Sequence, residues 1–209
     1  MYTTFYIVRH GQTDWNIQMR LQGHTNIPLN EVGREQANEI AKTLKNIHFD
    51  AIYSSDLDRA VQTTEIIAKE RELAVKTTEA LREKSYGSYE GRDRNEVQQE
   101  LKHLFEQWKK LSDEEKMKFK IYEDGESDHE AVERFIRHLR ELAIAYQGKN
   151  VLIASHGGIM RYFLLKLGWA TYRELDSHAI KNAAYIKVES DGVDFFIKET
   201  HLIEKAKTS

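Results

Sequence analysis

The sequence predicts an α/β fold: a three-layer α/β/α sandwich with a mixed, mostly parallel central sheet and a small helical insertion. Three observations carry this expectation. Apolar runs of strand length alternate along the chain with stretches whose apolar residues recur at helical spacing. Two of the runs, Phe5-Tyr6-Ile7-Val8 and Val151-Leu152-Ile153-Ala154, are apolar throughout, as strands buried on both faces are. Both then stop on a polar residue, a histidine and a glycine, in Arg9-His10-Gly11 and Ser155-His156-Gly157.

The first run delivers Arg9 and His10 to the carboxyl end of its strand, where open α/β sheets bind ligands. An ordinary strand and turn is the competing reading. Residues 12–31 form a long polar loop with Asn16, Arg20, Gln22, Gly23, His24 and the single proline, Pro28; long ordered loops are often functional. Asn30 is placed to cap a helix, with Glu31 at the positive end of its dipole and Ala37, Ile40, Ala41 and Leu44 on its buried face. Residues 49–55 read as a second strand, followed by a helix with Ala60, Val61, Thr64, Ile67 and Ala68 inward. Arg59 falls in that helix's first turn, beside free N–H groups that suit anions; a solvated surface residue or a partner for Asp56 is the commoner role of a lone arginine there, but its place against the macrodipole suggests another reason.

Residues 74–78 are an edge-strand candidate, and the loop 81–91 gathers Glu83, Glu90, Tyr86, Tyr89, Gly87 and Gly91. From 92 to 120 the chain turns strongly charged, with Leu101, Leu104, Phe105, Trp108 and Leu111 as the stripe of an amphipathic helix expected to cover the edge of the sheet. Ser127 and Glu130 form a capping box for a helix whose stripe runs Ala131, Val132, Phe135, Ile136, Leu139, Leu142, Ala143 and Tyr146. Gln147-Gly148-Lys149 ends it. The apolar strand at 150–155 leads into a helix at 159–167. After a polar loop at 175–182, strands at 183–189 and 193–201 flank the turn Ser190-Asp191-Gly192 as a hairpin, and 204–209 are expected to fray.

At 209 residues the chain suffices for one well-cored unit, and its 40% hydrophobic content is too high for a disordered one. A formal net charge of -3 gives no reason to expect nucleic acid or a membrane surface as partner, so any anion site must be local. With no cysteine, disulfides, thiolate nucleophiles and cysteine-bound zinc are excluded. No signal-like segment and no apolar run near the ~20 residues of a membrane span is seen, and a cytoplasmic protein is expected.

If the three strands ending at Arg9, Ser55 and Ser155 lie side by side, Arg9, His10, Arg59 and His156 meet over one crevice. Two arginines and two histidines suit a compact dianion, above all a phosphoryl group. A metal site would need ligand spacing that is missing here, and the arginines would repel a cation.

The blocks Arg9-His10-Gly11 with Thr13 and Asn16, the turn from Ser54 to Ala60 with Gln62 and Thr63, Leu81-Arg82-Glu83 to Glu90-Gly91, Gly125-Glu126-Ser127 and Ser155-His156-Gly157-Gly158 stand in one order along the chain. In this the chain resembles the histidine phosphatase superfamily, in its phosphoglycerate mutase-like branch. The resemblance covers nearly the whole chain. It implies one domain over 1–209, with a helical insertion at about 92–120. It also implies a histidine acid phosphatase-type phosphomonoesterase in which His10 is the nucleophile and becomes a phosphohistidine. Arg9, Arg59 and His156 would hold the phosphoryl oxygens, and Glu83 would donate and later accept the proton.

Asn16, Thr13, Gln22, Gly23 and Gly157 are expected to bind substrate. No cofactor and no metal are implied, and the partner is a small phosphorylated metabolite. A backbone carbonyl near Gly11 could fix the tautomer of His10, while His156 serves better protonated, so the two histidines are expected to titrate apart. For Glu83 an ion pair with Arg82 or Lys84 is the bland reading, and Glu90 an equal candidate outside the family. In the family's mutases an asparagine follows the glycine of the second histidine block. Gly158 stands here instead, and the chain is short with a short tail, all leaning towards hydrolysis. A phosphoglycerate mutase, or a non-catalytic binder of phosphate esters, is the alternative. Trp108 is expected in the core of the insertion rather than against substrate.

Overall fold

In the computed structural model, residues 1–206 are described. β1 (Thr3–Arg9) opens the chain. A single turn, α1 (Asp14–Ile17), capped by Thr13, sits inside the 12–31 loop. α2 (Glu31–Thr43) begins at Asn30, whose side chain accepts from the Gly33 N–H. There follow β2 (Ala51–Ser55), α3 (Asp58–Ala68) and β3 (Val75–Thr78). Next come the short helices α4 (Arg94–Glu100), α5 (Lys102–Lys109) and α6 (Asp113–Lys118). α7 (Asp128–Ala145) starts at the Ser127–Glu130 capping box. β4 (Asn150–Ser155), α8 (Gly157–Lys166), β5 (Ile180–Ser190) and β6 (Phe195–Ile203) complete the fold.

The sheet runs β3-β2-β4-β1-β5-β6. It is parallel from β3 to β1 and antiparallel at β5 and β6, hence mixed. Alternation along β1 builds two cores. Phe5 and Ile7 join Val151, Ile153, Ile186 and the inward faces of α7 and α8. Tyr6 and Val8 join Ile52, Leu152, Ile40 and Ile67, under α2 and α3. Each fully buried side chain of this size contributes ~1.5–3 kcal/mol, so β1 is held from both sides. β2, β4 and β1 are adjacent, which places their carboxyl ends, and the residues just beyond them, together. No helix among the described residues is long and apolar enough to cross a membrane.

Three local expectations are corrected. Residues 92–120 form three short helices instead of one, because Ser112 and Glu115 make a capping box that starts a new helix. These helices lie off the edge strands: α6 packs on α7, while Val97 and Leu101 cluster with Leu21 and Tyr122 above the carboxyl ends of the sheet. The tail is tied down through 206, with the Glu204 N–H on the Ala179 carbonyl and the Ala206 N–H on the Glu174 carbonyl. The rest of the expected frayed segment, 207–209, lies outside the described residues.

Candidate active site

The register Arg9↔Ser155 between β1 and β4 sets the two histidines that follow these residues beside each other. The His10 N–H donates to the Ser155 carbonyl at 3.0 Å, and the imidazole centroids stand 5.2 Å apart. His10 Nδ1 donates to the carbonyl of Gly11 at 2.6 Å. This bond makes Nε2 the unprotonated nitrogen, and His10 lines a cavity of about 90 Å³ at the carboxyl edge of the sheet. Gly11 is there for space and not for flexibility: a Cβ on it would stand 2.2 Å from the Gly33 carbonyl oxygen, where α2 closes onto the loop.

Arg59, in the first turn of α3, is fully buried. Its Nε donates to His156 Nδ1 at 3.2 Å, and its two terminal nitrogens donate to the carbonyls of Thr25 (2.8 Å) and Gly23 (2.7 Å). One N–H on each terminal nitrogen is left for a ligand. Asp56 is paired not with Arg59 but bidentately with Arg82, at 2.7 and 2.5 Å. Arg9 donates Nη1 to the Ile180 carbonyl, while its buried Nε finds no protein partner among the described residues. Burial lowers both arginines to about 10, and the nearby Glu83 opposes that shift; both stay charged at neutral pH.

His156 departs from the expected protonation. Accepting from Arg59 requires an unprotonated Nδ1, so its proton sits on Nε2, a buried group with no partner among the described residues. Burial first, then Arg59, pushes both His156 and His10 well below the usual imidazole range. The orphaned His156 Nε2–H and Arg9 Nε–H are two buried donors awaiting an acceptor, which a dianion would supply.

Glu83 is 9% exposed and reaches across to the start of α8. Its Oε1 accepts from the N–H groups of Lys84 and Ile159, each at 2.9 Å, and Oε2 accepts from Gly158 at 2.8 Å. The carboxylate is thus unpaired with either neighbour, since Arg82 holds Asp56 and the Lys84 ammonium holds Asp128 at 2.6 Å. Glu90 serves structure: it accepts from the N–H groups of His24 (2.9 Å), Thr25 (2.8 Å) and Tyr86 (3.1 Å). Glycine at 158 lets Glu83 approach, because a Cβ there would meet Oε1 at 2.5 Å. Gly157 plays the same part under Arg9, whose Nε would lie 2.9 Å from a Cβ.

Asn16, Gln22, Gly23 and Gly157 line the cavity with Arg9, His10, Arg59 and Glu83. Thr13 does not. It is fully buried, caps α1 through its hydroxyl, and donates its N–H to Asn16 Oδ1 at 3.0 Å. That fixes the Asn16 amide, so Thr13 acts through Asn16 and not by contact. Asn182 does likewise, donating to the His10 carbonyl at 3.1 Å from the irregular start of β5, where Ala183 has φ 58°.

Sequence reasoning missed Arg94, Arg161 and Tyr162 on the cavity wall. Arg161 and Tyr162 follow Gly158 at helical spacing, a signal that was present; Arg94 is brought in by the insertion alone. Arg134 of α7 was also missed: it donates to the carbonyls of Arg82 and Glu83 at 3.1 Å and to Glu126 at 2.9 Å, bracing the loop that carries Glu83. Among the described residues no cluster of three or more histidine, aspartate or glutamate side chains is arranged to hold a metal ion.

The family model described as the histidine phosphatase superfamily (branch 1) matches residues 5–202. The uncharacterized phosphatase PhoE of Bacillus subtilis is 32% identical over 96% of this chain and 95% of its own length. A metal-independent phosphoserine phosphatase of Arabidopsis thaliana is 30% identical over 96% and 83%. Among solved structures, the phosphoglycerate mutase of Bacillus anthracis superposes with a TM-score of 0.80 at 25% identity, over 94% of this chain and 92% of that one.

Proposed function

This chain belongs to the histidine phosphatase superfamily, and we propose that it is a phosphomonoesterase acting on small phosphorylated metabolites through a phosphohistidine on His10. The observation that carries the reading is the tautomer lock. With Nδ1 donated to Gly11, the Nε2 lone pair is left free beside a cavity that Arg9, Arg59, Asn16 and Glu83 also line. A neutral imidazole so held is a competent nucleophile at pH 7.

In the first step His10 Nε2 attacks phosphorus and the ester P–O bond breaks. Its electron pair leaves on the alcohol oxygen, which takes a proton from Glu83. Arg9, Arg59, the His156 Nε2–H and Asn16 stabilise the charge on the phosphoryl oxygens. The proton is assigned to Glu83 Oε2, since Oε1 already accepts two backbone N–H groups and Oε2 one. In the second step Glu83 takes a proton from water, the water oxygen bonds to phosphorus, and the P–N bond breaks with its pair returning to Nε2. Phosphate leaves and Glu83 is again protonated.

Gly158 and the phosphatases among its relatives favour hydrolysis. One observation favours a mutase: the additional arginines Arg20, Arg94 and Arg161 at the cavity, since a mutase must retain a bisphosphate. Incubation with 3-phosphoglycerate separates the two. Free inorganic phosphate, lost in His10→Ala, supports hydrolysis; 2-phosphoglycerate without phosphate release overturns it. The cysteine-free composition suits the reducing cytoplasm, where we place the protein.

A further inference from the structure

His24 follows Gly23 in the 12–31 loop, yet it does not line the cavity around His10. Its half-buried ring reaches the loop that carries Glu83 instead, where Nε2 stands 2.9 Å from the Glu83 carbonyl oxygen. A carbonyl only accepts, so this nitrogen carries the proton and donates it. An ion pair is the competing reading of the ring. Glu126 Oε2 lies 3.9 Å from the same nitrogen, but that oxygen already accepts from Arg134 and from the Ser85 N–H, each at 2.9 Å. The backbone around His24 is held from two sides. Arg59 donates to the carbonyls that flank it, those of Gly23 and Thr25, while Glu90 accepts the N–H groups of His24 and Thr25.

The bond to the Glu83 carbonyl matters because of the peptide unit it grips. That carbonyl and the Lys84 N–H are opposite ends of one planar trans peptide. The Lys84 N–H is in turn one of the groups that hold the Glu83 carboxylate, on Oε1 at 2.9 Å. Donation at one end of the plane therefore fixes the direction of the N–H at the other. The carboxylate's remaining backbone donors, Gly158 and Ile159, belong to α8. Arg134 grips the same carbonyl at 3.1 Å, but from α7 and away from Arg59. His24 is the contact that ties the Glu83–Lys84 peptide to the segment on which the Arg59 fork rests.

We infer that His24 is a positioning residue for proton transfer: through the Glu83–Lys84 peptide it holds the Glu83 carboxyl in register with the Arg59 clamp, touching neither the substrate nor the reacting atoms. This rests on the phosphomonoesterase reading and adds to it a residue that acts on the proton donor alone. The carbonyls that accept from Arg59 are backbone groups and stay in place when the His24 ring is replaced. Loss of the ring therefore loosens Glu83 and leaves the hold on the phosphoryl oxygens intact.

The test compares the wild-type protein, His24→Leu and His24→Gln on esters that differ in their need for a proton. The alcohols of 3-phosphoglycerate and glycerol 3-phosphate leave only when protonated, whereas nitrophenol leaves p-nitrophenyl phosphate without help. In His24→Leu, kcat on the two alkyl esters is expected to fall about tenfold or more with KM within about threefold. The single-turnover rate of nitrophenol release is expected to stay within about twofold of wild type, because the first step on that ester does not use Glu83. The amide of His24→Gln places an N–H as many bonds from the backbone as Nε2 of the imidazole, and it is expected to restore kcat to within about threefold. Unchanged kcat in His24→Leu, equal loss on the alkyl esters and in nitrophenol release, or no recovery in His24→Gln overturns the assignment while leaving hydrolysis intact. If His24→Leu does not fold, His24→Asn, whose amide is one bond too short, takes its place. Failure of the wild type to hydrolyse any ester contradicts the phosphatase reading instead. His24 is then judged by calorimetric affinity for orthovanadate, which offers the five-coordinate geometry of phosphorus in transfer. Affinity about tenfold weaker in His24→Leu and recovered in His24→Gln supports the assignment, and equal affinities overturn it.

Discussion

Arg59 donates its Nε–H to Nδ1 of His156 across 3.2 Å, with both side chains fully buried. One bond therefore sets the tautomer of a residue 97 positions away and leaves its buried Nε2–H without a partner among the described residues. Lysine cannot serve His156, Thr25 and Gly23 in the same fork geometry. Arg59→Lys is expected to lower kcat/KM about a hundredfold or more, with loss of two charge-assisted bonds. Retention of activity within a few-fold would show that the fork is not needed.

The two neutral histidines make stability depend on pH. Burial, then the neighbouring arginines, holds both His10 and His156 well below the ordinary value of about 6.5. Between that value and the lower native one, the unfolded chain binds more protons than the folded. Stability is therefore full above about pH 6.5 and falls as the pH drops, by up to ~1.4 kcal/mol per pH unit for each histidine. Urea midpoints at pH 7, 6 and 5 check this, and His10→Gln is expected to flatten the slope by about one histidine's share.

Glu83→Gln keeps an acceptor for the backbone N–H groups at the start of α8 but has no proton to give or take. It is expected to lower kcat by about 10²–10⁴. With p-nitrophenyl phosphate, whose alcohol leaves without help, a burst of nitrophenol followed by slow turnover is expected, because the second step still needs the base. Stopped-flow absorbance reads both phases.

Behind Glu83, Lys84 and Asp128 form a buried ion pair at 2.6 Å, with Tyr172 donating to the other carboxylate oxygen at 2.7 Å. Lys84 also lies 5.4 Å from the Tyr122 ring centre. Lys84→Met leaves the carboxylate uncompensated and is expected to cost about 3–5 kcal/mol in denaturant unfolding. Adding Asp128→Leu is expected to recover part of that loss.

The residues of the proposed phosphoryl clamp were legible because local pattern and topology coincide. Arg9, His10 and His156 end apolar strands, and Arg59 opens the helix after one, so adjacency of β1, β4 and β2 is enough to bring them together. Chemical state was less legible. Whether His156 carries one proton or two depends on Arg59 Nε, a contact no local pattern reveals. Thr13 looked like a ligand contact because it lies next to the site in sequence, whereas its burial makes it a cap. The insertion was the least legible part. Its charge run hid the breaks between three helices, the last starting at Ser112, and only tertiary packing brings Arg94 to the cavity that Arg161 reaches from α8.

The central claim is that phosphorus passes through His10 Nε2. Acid-free quenching of the wild-type protein during turnover of a ³²P-labelled ester, followed by peptide mapping, tests it directly. The expected result is an acid-labile, alkali-stable label on the peptide containing His10, chased to inorganic phosphate by unlabelled ester and absent in His10→Ala. Release of phosphate by the wild type with no label at His10, or with the label on another residue, would contradict it.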